Sequence, residues 1–466
     1  MSPFLGPCLW LWHGKLSWAP VYCLNVHWLW GCPFLCRYER LSMYHTGCLL
    51  LLLAGFLGLS HSQPGQEPDN TSNQTFKEVS QWNISSYQIA SDNADFAFRL
   101  YHLIASRKSE NNIFFSPLSI SISLAMLSLG AVGDTQTQIL EGLGFNLTKL
   151  SLPEIYEGFR SIQDTLARPF TELNISVGNA LILSQDLRLL PEFASATETS
   201  FNSKVLQANF GDEKAAIQLI NDYVKEKSQG KIKDLISKLS PNVRMVLVNY
   251  IFFQGLWEKP FHTSGISTQD FYVDENTVVK VPMMRQVQKH GYLEDSNVPC
   301  KVLRMDYRGD AMAFFILPNP GKMNEVEKVL SPGMLTKWHR LLQNRVLYKK
   351  IALQFPKFSI SNSYALDKIL PDLGFQNLFT HHADFSNITK EEKLQLSNAF
   401  HKATLDVNEA GTEAAAVTTF SLGLHSAPLH HITFNRPFLL VIYSSSTENI
   451  IFMGKVVNPT AQQTSD

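Results

Sequence analysis

Apolar positions follow helical spacing in the first half of the chain and alternation or unbroken runs in the second. Phe96, Leu100, Leu103 and Ile104 recur at intervals of three and four, the stripe of an amphipathic helix. Ser116-Pro117 predicts a helix start, with a capping oxygen followed by proline at the first helical position. The helix it opens is apolar or small on every side through Met126, Leu127 and Leu129, so it is expected to be buried all round, ending at Gly130 and Gly133. Ile155, Phe159, Ile162 and Leu166 form one stripe over 151–168; Ile217, Ile220 and Val224 form another over 212–229, stopped by Gly230. Strand patterns follow. Leu173, Ile175 and Val177 alternate, and 245–253 is nearly continuous apolar, as in a strand covered on both faces. Residues 302–307 and 311–317 flank Arg308-Gly309-Asp310, a hairpin signal. The C-terminus reads as a strand pair, 432–443 and 450–457, around a turn at 444–449. With no internal repeat and no linker, the expectation is one large α+β domain over about 91–459.

Composition bounds this picture. The chain has 466 residues, net charge −1 and 45% hydrophobic content, enough to bury a large core. A balanced charge argues against nucleic acid as the main partner, since phosphate binding needs a basic excess. Leu49–Leu53 and the apolar residues after it, through Leu59, are too few to span a bilayer. Ser60-His61-Ser62 then suits signal peptidase, so 43–62 is expected to be a secretory signal peptide with Gln63 as the mature start. Residues 1–42 hold five of the eight Trp and four of the six Cys, and are read as a non-native upstream extension of the reading frame. Beyond residue 62 only Cys300 remains, so no internal disulfide can form. Six sequons, at Asn70, Asn73, Asn83, Asn146, Asn174 and Asn387, agree with secretion. The polar residues 63–90 are expected to form a flexible glycosylated arm, and 460–466 a tail.

Catalytic patterns are missing. There is no G-x-S-x-G elbow and no C-x-x-C, and Gly142-Leu143-Gly144 reads as a helix C-cap. His425, His430 and His431, like His381 and His382, lack the spacing and further ligands of a zinc site. No cofactor, metal or membrane partner is expected.

One segment stands out. After the strand-like 402–407 come Glu409, Ala410, Gly411, Thr412, Glu413, Ala414, Ala415, Ala416, Val417, Thr418 and Thr419. A short Ala-rich helix is possible, but Val417, Thr418 and Thr419 in succession disfavour extending it. Taken as a strand, the segment would turn Thr412, Ala414, Ala416, Thr418, Phe420 and Leu422 to one face, small residues first and none charged.

This segment and others spread over residues 95–459 make the chain resemble a serpin. The matching stretches are Asn112 to Ser119 (NIFFSPLS), Asn249 within VNYIFF, Trp257 within LWEKPF, Lys357 ending LQFPK, His401 within HKA, Glu409 to Ala416 (EAGTEAAA), Phe434 to Phe438 (FNRPF) and Gly454 to Pro459 (GKVVNP). Each is weak alone; their order and spacing are specific. The resemblance implies an α+β serpin fold with a large mixed sheet, smaller sheets, about nine helices and an exposed reactive loop over 409–434.

It also implies an inhibitor, not an enzyme, working as a suicide substrate. A serine protease, chymotrypsin-like or kallikrein-like, would attack the loop, and the cut loop would insert into the large sheet before the acyl-enzyme hydrolyses. Glu409, Gly411, Thr412, Ala414, Ala415 and Ala416 would be its hinge, and His425–Ser426 the reactive bond, with cleavage after Leu424 or Phe420 the alternative. Ser116, Ser119, Asn249 and His401 would form a polar shutter; Trp257 would belong to the breach, and Lys357 would meet Glu409 there as an ion pair. Lys337, Arg340, Arg345, Lys349 and Lys350 are candidates for heparin, and the protein is expected to be a monomer. The rival reading is a non-inhibitory serpin acting as a carrier or substrate.

Overall fold

In chain order the first elements are helix α1 (Thr71–Arg107), strand β1 (Ile113–Phe115), α2 (Pro117–Ser128), α3 (Gly133–Gly142), α4 (Leu152–Leu166), β2 (Leu173–Ser184), α5 (Pro191–Phe201), β3 (Lys204–Ala208) and α6 (Glu213–Lys227). Strands β4 (Met245–Gly255), β5 (His262–Tyr272), β6 (Val278–Glu294), β7 (Cys300–Asp306) and β8 (Ala311–Pro318) follow, then α7 (Met323–Val329) and α8 (Pro332–Gln343). The chain ends with β9 (Tyr348–Pro356), β10 (Phe358–Ala365), β11 (Asn398–Val407), β12 (Leu429–Thr433), β13 (Phe438–Ser444) and β14 (Ile450–Val456). This is a computed structural model; it describes residues 71–167, 173–240, 242–411 and 429–461, all within one unit spanning 70–466. Among the described residues there are eight α-helices and four short 3-10 turns, against an expectation of about nine helices.

Two mixed sheets carry the fold. The five-stranded sheet has the order β10-β11-β4-β2-β3, and the nine-stranded one runs β1-β14-β13-β8-β7-β6-β9-β12 with β5 added to β6. The main core lies on one face of the five-stranded sheet, around α2, whose twelve residues are all buried as the unbroken apolar pattern predicts. Helix α6 covers part of the other face, packing Ala216, Ile220 and Val224 against Ile182, Val246, Val248 and Tyr250.

The local signals work as the residues suggest. The Ser116 side chain accepts from the Ser119 amide, with Pro117 at the start of α2. Ser151 and Glu154 form a reciprocal capping box on α4. Cys300 is a buried free thiol, pushed up to about 12 by burial.

Helix α1 starts well before the apolar stripe at Phe96, and one strand expectation is corrected. Helix α1 begins at Thr71, inside the stretch expected to be a flexible arm ending near residue 90. No proline or glycine interrupts 71–107, and extending an existing helix is far cheaper than starting one. The strand expected over 432–443 is two strands: β12 pairs parallel with β9, whereas β13 pairs antiparallel with β14 and β8. Pro437 cannot donate to a ladder, and buried Phe434 anchors the break between them.

Gly178 sits opposite Tyr250 in the β2–β4 ladder, and a Cβ there would lie 1.9 Å from the tyrosine ring. Gly178→Ala should therefore cost about 1–3 kcal/mol through overpacking. A thermal melt of the intact protein checks this; an unchanged melting temperature would contradict the packing argument.

Candidate functional site

The five-stranded sheet is held together across a seam. Strands β4 and β11 are parallel neighbours, paired from Asn398 opposite Val246 to Thr404 opposite Phe252. Above Thr404 that pairing stops, although β10 follows β11 to Val407 and β2 follows β4 to Gly255. A cavity of about 160 Å³ lies over this unpaired part, between Phe252 and Gln254 on one side and Ser361, Thr404 and Asp406 on the other.

A buried polar network spans the paired part. His401 and Asn249 are register partners, both fully buried. The Ser116 amide donates to His401 Nε2 at 3.0 Å, so this nitrogen is the unprotonated one. The proton therefore sits on Nδ1, which donates to Asn249 Oδ1 at 2.5 Å. Ser119 Oγ donates to the same oxygen at 2.9 Å. Asn249 Nδ2 donates to the Ser119 carbonyl at 3.0 Å and to Asn179 Oδ1 at 2.6 Å. Every hydrogen-bonding position of the Asn249 carboxamide is used, as burial requires. Burial pushes the His401 imidazole down to about 3. The geometry agrees, because a proton on Nε2 would face an N–H.

The top of the seam is closed by the turn that leaves β11. Asn408 N–H donates to the Gly411 carbonyl, and Asn408 Oδ1 accepts from the amides of Ala410 and Gly411. The Trp257 and Phe261 amides donate to Ala410 and Glu409 carbonyls at 2.9 and 2.8 Å. The Trp257 indole donates to the Asn408 carbonyl at 3.2 Å, and its ring stacks on Tyr307 at 4.2 Å. Lys357 Nζ bridges both oxygens of the Glu409 carboxylate at 3.1 Å. Gly411 has φ 146° and pairs with Leu256; a Cβ there would lie 2.1 Å from the Gly255 carbonyl oxygen. Only glycine fits this approach.

The structure thus brings together Ser116, Ser119, Asn249 and His401 in one network, and Trp257, Lys357, Glu409 and Gly411 at one end of the same seam. Thr412, Ala414, Ala415, Ala416, His425 and Ser426 lie outside the described residues, as do Asn70 and residues 1–62. Sequence reasoning missed Asn179 and Asn408. An amide in the apolar β2 pattern and an asparagine just before the turn were the available signals.

The basic candidates are divided. Lys337 donates to the nearly buried Asp295 at 2.9 Å. Burial works against that carboxylate's charge, but hydrogen bonds from Lys337 and the Trp338 indole outweigh it and hold the group at about 2. Arg340 is exposed on α8, and Arg345 is exposed in the turn after it. Lys349 and Lys350 pair with His290 and Lys289 of β6, so alternation sends them to opposite faces.

Comparison with known proteins places this geometry. The profile of the family described as Serpin (serine protease inhibitor) matches residues 91–459. The chain belongs to the serpin family. It is 56% identical to kallistatin of Pongo abelii over 428 residues, covering 90% of this chain and all of that protein. The solved structure of human glycosylated kallistatin matches with a TM-score of 0.77 and 56% identity, covering 81% of this chain and all of that one. A structure of cleaved kallistatin complexed with heparin matches with a TM-score of 0.68 and 57% identity, over 70% of this chain and 96% of that one. The chain is a kallistatin-like serpin, a member of a protease-inhibitor family and not itself an enzyme.

Two predictions follow from the site. His401 and His290 are both buried and pushed down to about 3, His290 by burial and then by the Lys259 charge. Each stays neutral in the folded protein where the unfolded chain, with ordinary values near 6.5, takes up a proton. Stability should therefore fall as pH drops from about 6.5 toward 5, with a slope that steepens to about 1.4 kcal/mol per pH unit for each histidine by pH 5. His401→Gln should remove one of these two proton-linked contributions, measured as the pH dependence of the denaturation midpoint. Separately, Gly411→Ala should dislodge the turn from Trp257, seen as a change in tryptophan emission in the folded protein; an unaltered spectrum would count against this docking.

Proposed function

We propose that this chain is a secreted, glycosylated serpin that traps a serine protease when its 409–434 loop is cut and inserts between β4 and β11. The observation that carries this is the parallel pairing of those two strands. A strand returning from β11 through a tight turn runs antiparallel to β11, and hence antiparallel to β4 as well, so one strand satisfies both edges. The bond from Asn408 N–H to the Gly411 carbonyl puts these residues opposite each other. Continuing that register would set Thr412, Ala414, Ala416, Thr418 and Phe420 opposite Val407, Leu405, Ala403, His401 and Ala399, all buried. These are the loop positions whose sequence is small or uncharged and suited to the inward face.

The reactive bond is assigned to His425–Ser426. Neutral imidazole suits an apolar chymotrypsin-like pocket, whereas imidazolium would lose hydration there. Incubation with chymotrypsin-like, trypsin-like and kallikrein proteases, followed by mass spectrometry of the loop, tests the assignment. A cut after Leu424 or Phe420 would move it.

Secretion rests on the 43–62 leader and the sequons. Asn146 and Asn387 are exposed on the folded surface, and one solved relative is described as glycosylated. Heparin binding rests on Arg345, Lys349 and Lys350 and on the relative solved with heparin. Arg340 is an available neighbour, whereas Lys337 is already engaged by Asp295. Because Lys349 and Lys350 face opposite sides of β9, Lys349→Ala and Lys350→Ala, made separately, should lower the salt of elution from a heparin column unequally, and unchanged elution of either would remove that residue from the site.

Thr412→Arg should turn the inhibitor into a substrate, because a guanidinium would have to enter the core opposite Val407. The readout is an SDS-stable complex with chymotrypsin. Its loss, with loop cleavage retained, is the expected result; its persistence would refute the insertion reading.

A further inference from the structure

The foot of the seam is closed by different chemistry from its top. Beneath β11 and β4, the segment 388–397 leads into β11 and is tied to the opposite half of the sheet. The Leu190 amide donates to the Ile388 carbonyl, the Arg188 amide to Glu391 Oε2, and the Ser397 amide to the Met245 carbonyl, each at 2.9 Å. Among these ties one is ionic. Arg244, just before β4, donates through Nε to Glu392 Oε1 at 2.7 Å. Its other arm donates to both oxygens of Asp186, at 2.8 and 3.0 Å, and to Ser184 Oγ at 3.2 Å. Ser184 also donates to Asp186, aiming that carboxylate. Asp186 and Arg244 belong to the half of the sheet with β2 and β4, whereas Glu392 belongs to the half with β11.

We propose that Arg244, aimed by Asp186 and bound to Glu392, is an electrostatic clasp that closes the foot of the β4–β11 seam and slows its complete opening. The inference rests on the insertion reading above. Parting the two strands along their whole length separates Arg244 from Glu392, so the pair holds the closed sheet and is lost in the open one. Side-chain exposures of 32% for Arg244, 62% for Asp186 and 39% for Glu392 leave the clasp open to ions in solution. Salt should therefore loosen it. The clasp is a positioning device, not a binding site.

The test uses the full-length protein and an acetylated peptide with the sequence of residues 412–424, chosen to fill the seam without any target protease. Incorporation is followed by tryptophan emission and by gained heat resistance. At low salt Arg244→Ala and the near-isosteric Glu392→Gln should take up the peptide roughly three- to tenfold faster than the unaltered protein. Arg244→Lys should fall between. At about 1 M salt, where screening is nearly complete, the rates should converge. Equal rates at both salts, or a faster rate in the variants that ignores salt, would overturn the clasp while leaving insertion intact. Failure of every protein, unaltered included, to take up peptide or to gain heat stability on loop cleavage would overturn insertion, and the clasp with it.

Discussion

The fold turns on a single neutral histidine. His401 accepts a hydrogen bond from one part of the core, the Ser116 amide, and donates one across the seam to Asn249. Only the uncharged Nδ1–H form can do both. This joins β11, β4 and the start of α2 through directional bonds at a place where the ladder between β11 and β4 is short. Apolar packing alone would hold the sheet but would not fix which residues meet across it. A satisfied polar network does, because any slip leaves a buried donor or acceptor unpaired.

The two ends of the seam show how one joint can be firm yet separable. At the top, aromatic stacking and backbone bonds dock the stem of the loop against Trp257, and the Lys357–Glu409 pair sits at the rim. At the foot, the Arg188 backbone amide holds Glu391 and the half-exposed Arg244–Glu392 ion pair holds the segment before β11. The strands on either side are differently placed: β4 is paired with β2 from Leu173 to Leu183, and β10 follows β11 along eight residues. The β4–β11 ladder has seven residue pairs, against eleven for β2–β4 and eight for β10–β11, and it stops short of the ends that its neighbours reach.

Much of this was legible in the chain. The buried α2, the cap at Ser116, the hairpin of β7 and β8 and the apolar β4 followed from spacing and local chemistry, which act over a few residues. The motif residues Ser116, Ser119, Asn249 and His401 were legible as a group only through family resemblance, because they lie as much as 285 residues apart. Asn179 went unread for the same reason: nothing near it in the chain shows that it completes the Asn249 network. The break between β12 and β13 was signalled by Pro437 but read through.

Sequence alone determined the α+β class, the small and uncharged positions at 412, 414 and 416 and the absence of hydrolase motifs, since each is a matter of composition or short-range pattern. Tertiary structure decided which partner each polar group finds. It put His401 opposite Asn249 in a parallel pair, set the tautomer of that histidine, sent Lys349 and Lys350 to opposite faces and placed Arg244 between carboxylates from both halves of the sheet. Those outcomes depend on strand order and register, which arise when distant segments pair and which no local pattern encodes.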